Sequence, residues 1–355
     1  MTQHFREDVI AAIELLAAQQ IQSLFFENGE AEHPSSLLWR PGTNARKRTI
    51  FFRVLTIIHE LLLSNMQTTK RDLFYMDPTL FRTQQTSNAA IEEVARILNV
   101  PRASLNVFGS AKGIVAGNLS FVENGVQVNC TSTATLINPQ SVHESFESTA
   151  AFMLIVEKDA IFQHLLESGF CDAQNALLVT GKGYPDLKTR LFVHAIASAL
   201  PLLPVLLLVD ADPYGIDIAC NYAFGSAKRH CDERVEIPRL QLIGLRPTDL
   251  STLPIAASTR LPLTQRDINK LASLKRQFET QLESTDWIQE IEWMEQQRAK
   301  AELECLSSIS HDYLVNVYLQ GKLDKYLRGV DDETQLSHDS DFAETLQEES
   351  QPLFN

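Results

Sequence analysis

The chain lacks most of the features that would place it quickly. No apolar run reaches about 18 uninterrupted residues, so no membrane-spanning helix and no membrane partner are expected. The opening MTQHFREDV has no basic stretch leading into an apolar run, so no secretory signal is expected. Five cysteines (Cys130, Cys171, Cys220, Cys231 and Cys305) stand far apart with no CxxC pair, which excludes a zinc ribbon or a disulfide framework and fits a reducing compartment, cytosol or nucleus. The pattern GxxxxGK[ST] is absent, so the chain is expected to have no ATP-phosphate loop of its own. GxSxG is missing too, and the nine histidines show no HExxH spacing. Gly and Pro, 14 each, are sparse; there is no internal repeat and no Pro-rich or Gly/Ser-rich linker.

Positive charge is also scarce. Lys and Arg number 31 against 45 acids, for a net charge of −14. That balance counts against a nucleic-acid partner until its distribution is considered. Residues 329–355 hold eight acids (Asp331, Asp332, Glu333, Asp339, Asp341, Glu344, Glu348 and Glu349) and no Lys or Arg. Without them, 31 basic residues face 37 acids, and the body sits at −6. Basic residues gather at Arg46, Lys47, Arg48 and Arg53 and again at Lys70, Arg71 and Arg82. Phosphate contact depends on local patches of this kind more than on net charge, although a solvated face reads the same way in one cluster alone.

At 355 residues the chain has room for two domains with separate cores. Ile10, Ile13, Ala17, Ile21 and Leu24 recur at helical spacing over 5–26, a polar loop follows, and a second long helix is expected near 45–64. Thr68 and Thr69 are cap candidates before the segment KRDLFYMD, and Ser87 is the expected cap of a helix carrying Ile91, Val94 and Leu98. Asn99-Val100-Pro101 ends that helix, and a further short one is expected from Arg102. The alternating runs NLSFV and VQVNC flank Asn124-Gly125, the strongest short signal for a hairpin. Three helices and a hairpin make a winged helix-turn-helix, an architecture that docks on DNA or on protein. Past residue 148 the texture changes. AFMLIV, NALLV and PVLLLV are short continuous apolar runs separated by helical stretches, as in a buried parallel sheet. Residues 264–327 read as helical and the acidic tail as unstructured.

Three carboxylates stand where parallel strands are expected to end: Glu157 after the first run, Asp210 and Asp212 after the third. Ligands bind outside the carboxyl ends of strands in open α/β sheets. Residues 210 and 212 point the same way if extended, and three hard oxygen donors suit Mg²⁺. Solvated or helix-capping acids are the alternative reading. Between them TGKGYPD (180–186) follows another strand, its glycines open to close approach and Lys182 able to meet a phosphate. The nucleophile candidate is Tyr75, with Arg71 four residues earlier on the same helical face. A phenol ordinarily ionises only at about pH 10, so it needs help losing its proton and stabilising the phosphate it attacks. From spacing alone the favoured reading of Tyr75 is a buried packing residue.

With these residues in hand the chain resembles the type IIB topoisomerase A-subunit family, in its eukaryotic meiotic branch. The resemblance rests on KRDLFYMD (70–77), VPRASLNVFGSAKGIVAGNL (100–119), VEKDAIFQHLL (156–166), TGKGYPDLKTR (180–190), LVDADPYGIDI (208–218) and LTQRDINKL (263–271), in family order over roughly 45–325. It implies an α+β / α/β two-domain chain: a winged-helix domain (36–147) carrying the catalytic tyrosine, then a Toprim domain, a Rossmann-like parallel sheet with C-terminal helices (148–328). An N-terminal helix (1–35) that meets a partner would precede them, and the acidic tail (329–355) would follow. Tyr75 matches the nucleophile, with Arg71 supporting the phosphate; Glu157, Asp210 and Asp212 match the Mg²⁺ ligands, and Glu157 also acts in catalysis. Lys112, Lys182 and Tyr184 match positions near the DNA path, to which Arg46 and Arg48 are added. The resemblance further implies a dimer on duplex DNA, Tyr75 of one protomer meeting the acids of the other, 5′-phosphotyrosyl links, accessory meiotic proteins, a separate topoisomerase VI B-like subunit, plus a nuclear location. A Toprim-type nuclease without the tyrosine step and a non-catalytic DNA-binding scaffold are the alternatives; the intact Tyr75, Arg71, Glu157, Asp210 and Asp212 count against the second.

Overall fold

The computed structural model describes residues 3–25, 45–110, 112–131, 133–138, 143–225, 235–237, 239–281 and 285–326. The acidic tail, the polar loop after the first helix and Cys231 lie outside them. The N-terminal part is a helical bundle of α1 (Gln3–Phe25), α2 (Ala45–Leu63), α3 (Lys70–Met76), α4 (Pro78–Phe81) and α5 (Gln84–Leu98). Val9 and Ile13 of α1, Val54, Ile58 and Leu62 of α2, Leu73 of α3 and Ile91 and Val94 of α5 meet in one core. Each such side chain, fully buried, contributes roughly 1.5–3 kcal/mol. The strand pair β1 (Thr68–Thr69) and β2 (Val107–Phe108), parallel, ties the start of α3 to the chain that leaves the bundle.

Local chemistry explains where these helices begin. Thr69 Oγ1 accepts from the Asp72 amide at 3.1 Å and caps α3, while Thr68 is spent in β1. The expected cap at Ser87 is corrected: Thr83 caps α5, its Oγ1 accepting from the Thr86 amide at 3.3 Å, and Ser87 is buried one turn inside the helix. Asn99 ends α5 in the left-handed region at φ 52°, a conformation Asn tolerates, and the short helix expected from Arg102 is a 3₁₀ turn at Arg102–Leu105.

Beyond the bundle come β3 (Ile114–Gly117), β4 (Ser120–Glu123), β5 (Val126–Asn129), β6 (Thr135–Leu136) and β7 (His143–Glu147). The β4–β5 hairpin turns at Asn124 and Gly125, φ 50° and 81°, so both residues take the positive φ that a tight two-residue turn demands. Then follow β8 (Phe152–Val156), α6 (Asp159–Glu167), α7 (Phe170–Ala173), β9 (Ala176–Thr180), α8 (Leu187–Ala199), β10 (Val205–Leu208), α9 (Pro213–Ala223), β11 (Leu240–Gly244), β12 (Leu261–Pro262), α10 (Gln265–Gln281), α11 (Thr285–Gln297) and β13 (Ala299–Lys300).

The main sheet has the order β11–β10–β8–β9–β3–β6; its first four strands are parallel, and β3 runs antiparallel to both its neighbours, β9 and β6. Its period of two sorts side chains into two cores. Phe152, Leu154, Val156, Leu206 and Leu208 face α6, α7 and the segment beyond 303. Met153, Ile155, Leu177, Val179 and Leu207 face α8 and α9. Two buried faces account for the continuous apolar runs in the sequence. β3 and β6 lie on the N-terminal side of the boundary expected at 147, yet complete this sheet; Gly117 permits the close approach of β3 to Ala176, where a Cβ would run into the backbone. The stretch expected to be helical up to 327 is interrupted. Arg298, at φ 52°, stops α11, β13 pairs with β12, and 3₁₀ and π turns follow.

Candidate metal and nucleic-acid site

The chain leaves β8 toward β9 on one side and leaves β10 toward β11 on the other, so the crevice between neighbouring β8 and β10 is a topological switch point. Glu157 follows β8 and Asp210 lies two residues beyond β10, at that crevice. Glu157 extends the ladder by donating its amide to the Leu208 carbonyl at 2.9 Å, and its Oε2 accepts from the Asp210 amide at 3.0 Å. Asp210 is buried. Its Oδ1 accepts from the Leu303 amide at 2.8 Å, and its Oδ2 sits 3.0 Å from Lys158 Nζ. Asp212, extended at φ −144°, caps α9 through Gly215 N at 2.7 Å. Gly215 allows this tight start because a Cβ there would strike the Asp210 carbonyl oxygen. The capping alternative therefore describes one oxygen of Asp212.

Charge and burial act together here. Burial, then the charges of Asp210 and Asp212, push Glu157 up to about 7. Burial raises Asp210 to about 6 against the pull of the Leu303 amide and Lys158, and burial also raises Asp212. The acids are not gathered into a finished cage: among the described residues no group of three or more His, Cys, Asp or Glu is clustered closely enough to hold a metal ion. Their chemistry nonetheless fits a hard divalent cation. They are oxygen donors beyond strand ends, and burial holds all three toward the protonated state, a penalty that a divalent charge beside them would offset.

Tyr75 is on the other half of the molecule. The reading of it as a buried packing residue fails, since it is 58% exposed. Leu73 anchors α3 in the bundle core while Arg71, Tyr75 and Met76 face outward. The ring meets Phe74 edge-on at 5.2 Å between centroids, and the Arg71 guanidinium carbon lies 5.9 Å from its centroid. The partners of the phenol and those of the acids do not overlap within the chain.

Between the halves runs a cleft of ≈ 1010 Å³. Lys70, Arg102 and Lys112 line it together with Arg266, Asn269 and Lys270 of α10 and with Tyr184, Tyr214 and Asp217. The structure thus brings Lys112 and Tyr184 together. Arg46 and Arg48 are elsewhere: Arg46 donates to the Leu80 carbonyl at 3.1 Å and lines a separate pocket between α2 and α5. Lys182 Nζ pairs with Asp159 at 2.9 Å. Tyr184 donates its hydroxyl to Asp217 at 2.6 Å, and Lys270 pairs with the same carboxylate at 2.6 Å. Arg266, Asn269 and Lys270 went unrecognised in the sequence as cleft residues, although their i, i+3, i+4 spacing marks one face of a helix.

Comparisons with known proteins agree with both halves. Residues 152–323 match the family model for the Toprim domain of the topoisomerase 6 A-subunit/Spo11 proteins, and residues 46–107 match "Type IIB DNA topoisomerase". The chain is 41% identical over 288 residues to the meiotic recombination protein SPO11 of Mus musculus, covering 79% of this chain and 72% of that one. It is 39% identical to the Homo sapiens protein of the same name, with 79% and 72% covered, and 39% identical to the A-subunit of DNA topoisomerase 6 from Arabidopsis thaliana, with 79% and 66% covered. No helix among the described residues is long and apolar enough to cross a membrane. An exposed tyrosine on a capped helix, acids at the switch point of a parallel sheet and these two matched regions together mean that the chain belongs to the Spo11/topoisomerase 6 A-subunit family of type IIB DNA topoisomerases.

Proposed function

We propose that this chain cuts both strands of duplex DNA by tyrosyl transfer to start meiotic recombination, with Tyr75 as the attacking group. Its family makes it a DNA-cleaving transesterase by class. The observation that carries the assignment is the outward-facing phenol of Tyr75 on a helix locked by Leu73 and Thr69, with Arg71 beside the ring. The phenolic oxygen, giving up its proton, attacks the backbone phosphorus. The bond to the 3′ oxygen breaks, that oxygen leaves and takes up a proton, and a 5′-phosphotyrosyl ester remains. One phosphoester replaces another, so scission needs no ATP. Arg71 holds the phosphate oxygens by charge-assisted hydrogen bonds. Glu157, Asp210 and Asp212 would hold a divalent cation, Mg²⁺ in our reading, which neutralises charge on the scissile phosphate and the leaving oxygen.

In this reading α3–α5 and the β4–β5 hairpin form a winged helix-turn-helix within residues 36–147, and 148–328 is the Toprim part. The acids of one protomer serve the tyrosine of its partner, since the two sets share no contacts within one chain. α1 meets a B-type subunit, further meiotic proteins join it, and the complex works in the nucleus. Co-assembly tests the shared site. Mixing a Tyr75→Phe chain with an Asp210→Asn chain builds dimers with one intact composite site and one doubly defective site. Single-strand nicks with one covalent chain are expected from the mixture and from neither variant alone; a mixture as inert as its parts would mean that each chain works alone.

The cleft supplies the electrostatic contact. Lys112→Ala and Arg266→Ala, both in its lining, are each expected to weaken duplex binding at any sequence and to lower the slope of log affinity against log salt by about 1. Slopes equal to the wild type would move the DNA out of this cleft.

A further inference from the structure

We propose that Lys158 is the resident counter-ion of the acidic site, holding Asp210 in the cation-free protein and handing it over to a divalent cation by moving onto Glu302 and Glu304. The inference rests on the metal reading above and assigns a role to a residue that reading leaves unused. Lys158 Nζ lies 3.0 Å from Asp210 Oδ2, 3.2 Å from Glu302 Oε2 and 2.6 Å from Glu304 Oε2. An ammonium has three donors, and here three carboxylates receive them.

Its position in the fold argues that this grouping serves the acids. Lys158 is the N-cap residue of α6 and makes no side-chain capping bond. A cation is disfavoured at that end of a helix, where the dipole is positive. What favours a lysine here is the carboxylates around it. The two glutamates come from a strap tied to the site by backbone: Ala301 donates its amide to the Ala211 carbonyl at 3.0 Å, and Leu303 donates to Asp210 Oδ1 at 2.8 Å. One oxygen of Asp210 is thus fixed by the strap, and the other is left to a cation, either the ammonium or a metal ion. A divalent charge at Oδ2 repels the ammonium, and Glu302 and Glu304 let Lys158 leave without becoming an unpaired charge. Exchange of one cation for another keeps the buried acids compensated throughout.

The test is a double-mutant cycle on Mn²⁺ and Mg²⁺ affinity of the full chain at pH 7.5, read by calorimetry and independent of cleavage. Lys158→Gln is expected to bind either ion about tenfold more tightly, because no resident cation has to be displaced. The pair E302Q/E304Q is expected to bind about tenfold more weakly, because Lys158 then has nowhere to go. With Lys158→Gln already present, adding E302Q/E304Q should change affinity by less than about twofold, since the glutamates act through the lysine. Additive effects, or unchanged or weaker affinity in Lys158→Gln, would overturn the proposal. If Lys158→Gln does not fold, the half-exposed glutamate pair still decides: wild-type affinity in E302Q/E304Q refutes the exchange. Equal affinities in all four proteins remove the role of Lys158 and leave the metal site standing, whereas no binding by any of them removes both.

Discussion

Tyr75→Phe should eliminate recovery of protein covalently joined to DNA, a loss of about 10⁴-fold or more, as expected when a chemical nucleophile is removed. The change deletes one oxygen and leaves the ring. The contacts with Phe74 and Arg71 are made by that ring, and the residue is 58% exposed, so folding has little to lose. Stability should stay within about 0.5 kcal/mol of the wild type, as for most surface substitutions. Duplex affinity should also hold, because the cleft residues are untouched. The measurement is denaturing recovery of covalent complexes, from meiotic cells or from purified protein with DNA and Mg²⁺. Equal recovery from both proteins would reject Tyr75, and cleavage that persists without a covalent link would point to a nuclease in which water attacks.

The second large effect concerns Glu157→Gln, read by stability as a function of pH. Glu157 has a folded-state pKa of about 7 against an ordinary value of 4.5. The folded chain therefore holds this proton more tightly than the unfolded chain. The associated stability is fully present below 4.5, is lost as pH rises from 4.5 to about 7, and stays lost above. Its size is about 2 kcal/mol, allowing for coupling to the neighbouring acids. Asp210, raised to about 6, adds a loss of the same sign. Glu92 and Glu93, lowered by their basic partners, act in the opposite sense, and their contribution is lost only as pH falls below the ordinary carboxylate range. Glu157→Gln should thus flatten the decline between pH 4.5 and 7 and leave the metal-free protein about 2 kcal/mol more stable at pH 8. A divalent cation at 100 times its Kd should return about 2.7 kcal/mol to the wild type and far less to the variant. A variant that declines with pH as steeply as the wild type would show that this carboxyl is not the source.

How far the molecule could be read from its sequence depends on the range of the forces involved. The parallel strands and their terminal acids were legible because a strand buried on both faces has to be apolar throughout, so AFMLIV and PVLLLV announce themselves and Glu157 and Asp210 interrupt them. Asn124-Gly125 was legible because a two-residue turn demands positive φ. The cap of α5 was misplaced by four residues because Thr83 and Ser87 offer the same hydroxyl, and only packing buries one of them. β3 passed unnoticed as a sheet member. Its four residues carry no alternation, and its partner β9 lies some 60 residues further along the chain. Lys158 stands beside Glu157 in sequence, but its partners Glu302 and Glu304 are 144 and 146 residues away. The same distance hid the cleft face of α10. Sequence patterns report a residue's own element well and say little about what the fold later sets against it.

The placement of β3 bears on how the protein can be taken apart. A gene cut at residue 147, between the tyrosine-bearing half and the acid-bearing half, would carry β3 and β6 away with the first piece. The second piece would then display β9 as a bare edge with unpaired amides and carbonyls, an invitation to pair with other copies of itself. Expressed alone it should precipitate, and adding back a peptide spanning 112–138 should return it to solution.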